Sequence, residues 1–116
     1  MAKYNVVFHL DESVKARADM VLGNIANLIA DLGEENVSVE LVANSEGITA
    51  FLKEPNWHLS KINELMAKGV RFVVCANSLR QAGLGKESLM SQIDVVPAGV
   101  SEIVKKQAEG WAYIRP

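Results

Sequence analysis

Three runs of β-branched, aromatic and aliphatic residues, Tyr4–Leu10, Val37–Ala43 and Val70–Cys75, constrain this chain most, because each is followed by a stretch of helical periodicity. Tyr4-Asn5-Val6-Val7-Phe8-His9-Leu10 lacks clear polar alternation, the pattern of a strand buried on both faces. After it, Asp11, Glu12 and Ser13 supply capping oxygens. Val14, Ala18, Val21, Leu22, Ile25, Leu28, Ile29 and Leu32 then recur at spacings of three and four up to Gly33, predicting a long amphipathic helix. The second run alternates and then turns apolar, with Asn44-Ser45-Glu46-Gly47 as its exit loop. Ile48, Phe51 and Leu52 predict a short helix ended by Pro55, and Leu59, Ile62, Leu65 and Met66 a second stripe closing at Gly69. Beyond the third run, Asn77 or Ser78 is placed to cap a helix over Leu79 to Leu84, and a further turn or two is expected from Lys86 to Gln92. Ile93 to Pro97 reads as a fourth strand. Ser101 is placed to cap a last helix over Glu102 to Glu109, and Trp111-Ala112-Tyr113-Ile114 as a final strand.

Strands alternating with helices predict right-handed βαβ units, hence an α/β fold of flavodoxin-like, three-layer type. The expected sheet has five mostly parallel strands in the order 2-1-3-4-5, within one domain spanning residues 1–116. In that order a crevice opens outside the carboxyl ends of the first and third strands. It would bring His9 to Glu12 and Cys75 to Ser78 together.

Composition narrows the function. Twelve Lys and Arg against fourteen Asp and Glu give a net charge of -2, without the basic clustering that nucleic-acid binding requires. No apolar run approaches the roughly 20 residues that span a bilayer. One Cys forms no internal disulfide, and no charged-then-apolar leader precedes Tyr4, so the expected compartment is reducing and cytoplasmic. His9, His58 and Cys75 are too few and scattered for a metal signature. Gly83-Leu84-Gly85-Lys86-Glu87-Ser88 lacks the earlier Gly and following Ser or Thr of a phosphate loop, and the loop after the first strand lacks glycines for a flavin or dinucleotide. No cofactor is expected. Asp11 and Glu12 resemble the acidic pair of phospho-receiver domains, but Cys75 stands where the phospho-accepting Asp belongs.

Cys75 ends the third strand just before a helix, where unpaired backbone N–H groups and the positive helix end favour a thiolate. The same residue, following Val73 and Val74, also reads as a small buried hydrophobe. His9 could hold a proton or an anionic species nearby, or be a core histidine bonded to backbone.

The chain resembles the DsrE/DsrF-like family of small sulfur-relay proteins through Val6-Val7-Phe8-His9-Leu10-Asp11-Glu12, Asn24 to Leu32, Gly69 to Arg80 and Gly110-Trp111-Ala112-Tyr113-Ile114-Arg115-Pro116. The resemblance implies a flavodoxin-like protomer assembled as a trimer or as a hexamer of two trimers, in which a Cys after a central strand carries sulfur as a persulfide. Cys75 is the residue here that can match it. This chain departs from the best-studied relay subunits in having no mobile Cys loop and no second Cys. A single thiol still suffices for persulfide transfer to a partner's Cys.

Two readings follow. In the first, Cys75 accepts a sulfane sulfur from a donor and passes it to an acceptor, as a sulfurtransferase-like carrier. Backbone N–H groups and the side chains of Asn77 and Ser78 would stabilise the anion, with His9 and Asn44 in support. In the second, the protein is a non-catalytic oligomeric module binding a small ligand or a protein, and Cys75 is structural.

Overall fold

β1 (Tyr4–Leu10) is buried on both faces from Val6 to Phe8, as its lack of alternation requires. The computed structural model describes residues 2–116. After β1 come α1 (Lys15–Leu32), β2 (Val37–Ala43), α2 (Leu59–Ala67), β3 (Arg71–Cys75), α3 (Ala76–Gln81), β4 (Asp94–Val96), α4 (Gly99–Ala108) and β5 (Ala112–Ile114). Short 3-10 segments at Glu34–Asn36, Ser45–Phe51 and Lys86–Ser88 fill the connections.

All five strands are parallel, with helices on both faces, which is the expected α/β architecture. β1 stands second from one edge, as in the flavodoxin-like arrangement, but the edge beside it is β5 and not β2. The order is β4-β3-β2-β1-β5. The reason is the direction of the crossovers. From β1 to β4 each right-handed crossover steps the same way and leaves its helix on one face. The return from β4 to β5 runs back across the sheet and leaves α4 on the other.

The two faces are unequally covered. Val6, Phe8, Leu10, Leu41, Phe72 and Val74 meet Val21, Leu22, Ile25, Ile48, Phe51, Ile62 and Leu65 in the main core. Phe51 and Phe72 pack as a tilted ring pair, 5.4 Å between centroids. On the other face the buried set is only Val7, Val42, Val73 and Ile103, with Val96 and Trp111 against it. Ile103 is the one large apolar side chain that α4 buries.

Three expected caps are absent. α1 is preceded by Val14 without a side-chain cap; Asp11 instead accepts two hydrogen bonds from Arg115 at 3.1 and 3.2 Å, and Glu12 lies 3.4 Å from Arg17. α3 begins at Ala76, so Cys75 takes the capping position ahead of Asn77 and Ser78. α4 begins at Gly99, ahead of Ser101. At Gly47 the chain crosses the end of β1 so closely that a side-chain carbon would stand 2.1 Å from the Leu10 carbonyl oxygen. Only glycine fits there.

Candidate functional site

Parallel strands in register present matching faces, and this aligns the candidate residues. His9 pairs with Val42 and Val42 with Val73, all on the face that α4 covers in part. Ala43 pairs with Val74, so Asn44 and Cys75 follow side by side at the strand ends. The sheet order therefore separates β1 from β3 by one strand, and Asn44 bridges the gap that direct adjacency of β1 and β3 was expected to close.

Cys75 is 5% exposed. Burial alone would push its thiol up. The Ser78 hydroxyl and the nearby backbone N–H groups of Gly99, Ser78 and Asn77 outweigh that effect and hold the thiol below its ordinary value. The donors come from two helix starts. Ser78 and Asn77 lie in the first turn of α3, and Gly99 opens α4. The Ser78 hydroxyl oxygen also accepts the Ser45 N–H at 2.7 Å, which fixes it against the loop after β2.

Gly99 was not legible as a site residue, yet it sets the approach of α4. A side-chain carbon there would lie 3.2 Å from Asn44 Cβ and 3.3 Å from both Cys75 Cβ and Val42 Cγ1. Asn77 takes a different part from the one expected. Its backbone N–H, in the first turn of α3, helps lower the thiol, but its side chain is exposed and accepts a hydrogen bond from the Arg80 guanidinium.

His9 faces the same side as Cys75. Its Nε2 lies 2.9 Å from Asn44 Oδ1 and its Nδ1 2.7 Å from the Tyr113 hydroxyl of β5. Tyr113 joins the site because β5 is the neighbour of β1, with Val7 opposite it. The sequence places Tyr113 in the final strand and gives it no part in the site.

Beneath α4 lies a charge cluster around one buried carboxylate. Glu40 of β2 is 1% exposed; its Oε1 accepts from Arg71 Nη1 at 2.7 Å, and its Oε2 has no donor among the described residues. Arg71 also binds Asp94 at 2.9 Å and lies 3.6 Å from Glu102 of α4. Burial first, then the adjacent Glu102 carboxyl, push Glu40 up to about 7 against the pull of Lys106 and Arg71. Lys106 in turn stacks over the Trp111 ring at 4.8 Å.

The most enclosed hollow, about 280 Å³, is lined by Glu12, Ala18, Leu52, Trp57 and His58 on the opposite side of the sheet from Cys75. It has no part in the thiol geometry. No group of three or more His, Cys, Asp or Glu among the described residues could hold a metal ion. No helix there is long and apolar enough to cross a membrane.

The model of the DsrE/DsrF-like family matches residues 3–116. This chain belongs to the DsrE/DsrF-like family. The family is associated with sulfur relay. The chain is 43% identical to a protein of unknown function, MTH1491 from Methanobacterium thermoautotrophicum. That match covers 97% of this chain and 99% of the other, with a TM-score of 0.92. The ychN protein from E. coli shares the fold, with a TM-score of 0.79 at 15% identity over 100% of both chains. No curated protein matches this chain.

Proposed function

We propose that this DsrE/DsrF-like protein is a sulfur carrier that holds a persulfide on Cys75 and acts in the reducing cytoplasm as a homo-oligomer, a trimer or a hexamer. The observation that carries the reading is the set of donors around one sulfur: the Ser78 hydroxyl and the N–H groups of Asn77, Ser78 and Gly99. These donors favour a thiolate nucleophile and the still more acidic persulfide that replaces it. The Cys75 thiolate attacks the outer sulfur of a donor R–S–SH. The donor S–S bond breaks as the Cys75–S bond forms, and R–S⁻ leaves with the bonding pair. The product Cys75–S–SH passes its proton to R–S⁻ or to water. An acceptor thiolate then repeats the attack and returns Cys75 to the thiolate, so no oxidant or reductant is consumed. Exposed apolar residues Val100 and Val104 of α4, with Tyr113 and Ile114 of β5, offer surface for subunit or partner contacts.

The low exposure of Cys75 favours the second reading, a non-catalytic oligomeric binding module with a structural Cys. Transfer separates the two. Protein treated with a low-molecular-weight persulfide and desalted should deliver one sulfane sulfur per chain to an added acceptor thiol, and the Cys75→Ser variant none. Equal delivery by the variant would overturn the carrier reading.

A further inference from the structure

The carrier reading uses the donors on the α3 and α4 side of the sulfur. On the other side stands a chain of three polar side chains with no part in it yet: Tyr113, His9 and Asn44. Their hydrogen bonds have a direction. Asn44 Oδ1 can only accept, so His9 Nε2 carries the proton that lies between them. In the neutral ring Nδ1 is then a lone pair, and the Tyr113 hydroxyl donates to it. The oxygen of the Asn44 amide is thereby held on the His9 side, which leaves both Nδ2–H groups of Asn44 free to face elsewhere. Asn44 is the neighbour of Cys75 across β2 and β3, and the two Cβ atoms flank the same Gly99 position at 3.2 and 3.3 Å.

We propose that Tyr113 is a positioning residue for sulfur transfer at Cys75, acting through His9 to orient the Asn44 amide so that its N–H groups meet the charge on the outer sulfur. This inference rests on the carrier reading. It assigns the two sides of the site different tasks. The α3 and α4 donors serve the inner sulfur of Cys75, whereas Asn44 serves the sulfur beyond it, which takes on negative charge as the new Cys75–S–SH gives up its proton. The arrangement also accounts for the placement of β5. Three residues of edge strand beside β1 add little core, but they deliver the Tyr113 hydroxyl to His9. A neutral, hydrogen-bonded chain costs little to hold in place, because each member is satisfied by the next.

The test compares Tyr113→Phe with wild type by two measurements. The first is the pair of Asn44 Nδ2–H resonances in an amide-correlated NMR spectrum. In Tyr113→Phe they should move toward each other and broaden as the amide gains freedom, while the amide resonances of α4 stay in place. The second is the rate of persulfide loading on Cys75. It should fall severalfold, by up to about tenfold, at saturating donor with KM unchanged, as the Asn44 amide loses its fixed orientation toward the outer sulfur. His9→Gln, whose amide can still donate to Asn44 Oδ1, should recover part of the loss, and His9→Ala should not. Unchanged Asn44 resonances, or an unchanged loading rate in a folded Tyr113→Phe, would overturn the proposal. If wild type takes up no sulfur at all, the carrier reading and the transfer role of Tyr113 fall together. If wild type loads while Tyr113→Phe matches it, the role of Tyr113 alone is lost.

Discussion

Gly99 at the start of α4 comes so close to Cys75 that a side-chain carbon on it would lie 3.3 Å from Cys75 Cβ, and its backbone N–H helps hold the thiol below its ordinary value. The first residue of α4 thus borders the one Cys of the chain. The missing side chain is what lets it come close enough.

Replacing Gly99 by Ala tests that contact. The added carbon must displace Asn44, Cys75 or Val42 by a few tenths of an ångström, and the softer response is for α4 to lift. Weakening the Gly99 N–H contribution should raise the Cys75 pKa toward its ordinary value. The pH dependence of alkylation in the native protein would read it. Global stability should change little, since Ala is the better helix former.

Ser78 should show a different pattern. Ser78→Ala removes the donor to Cys75 and also leaves the Ser45 N–H without its 2.7 Å partner. We expect the thiol pKa to rise as in Gly99→Ala, but with a stability loss of about 1–2 kcal/mol in urea denaturation. Raised pKa without destabilisation would place Ser45 elsewhere.

Glu40 makes the folded state pH-dependent. Its folded pKa is raised from 4.5 to about 7, so the folded state binds the extra proton within that window. The contribution is fully present below pH 4.5 and is lost as pH rises through about 7, roughly 3 kcal/mol in all. His58 works the other way. Burial lowers it despite Asp19 nearby, so its contribution is lost as pH falls. Glu40→Gln should flatten the decline between pH 5 and 8, because Gln keeps an acceptor for Arg71 without the titrating charge. An unchanged slope in denaturation midpoints against pH would contradict the raised Glu40.

The two faces should respond unequally to core truncation. Ile103→Ala and Ile62→Ala each remove a buried side chain, at a cost of roughly 2–4 kcal/mol. Only Ile103 anchors α4, so only its loss should speed hydrogen exchange across Gly99–Ala108 and alter Cys75 alkylation. Ile62→Ala should leave both as in wild type.

The strands were legible because β1, β2 and β3 are buried by repetition of apolar residues, and their bounds fall within a residue of those read from pattern. The place of β5 was not. Ala112, Tyr113 and Ile114 are all exposed, so nothing in their pattern says which edge they join. Helix starts were misplaced for a related reason. Asp11, Ser101 and Asn77 have capping chemistry, but Arg115 claims Asp11, and α3 and α4 begin early, at Ala76 and Gly99. Cys75 and Ser78 could be placed from the sequence, as could His9 and Asn44, since each sits at a strand end or in the loop beyond. Gly99 could not, because its role comes from a close approach between distant segments. Glu40 was readable only as part of an alternating strand, although a carboxylate between Val39 and Leu41 was the one polar signal in that core.

The most direct test of sulfur carriage at Cys75 is the intact mass of the native protein after exposure to a persulfide donor. The account predicts a reductant-labile gain of one sulfur atom on wild type and none on Cys75→Ser. A wild-type mass that stays unchanged, with Cys75 alkylated only after denaturation, would contradict it and make the thiol a core residue.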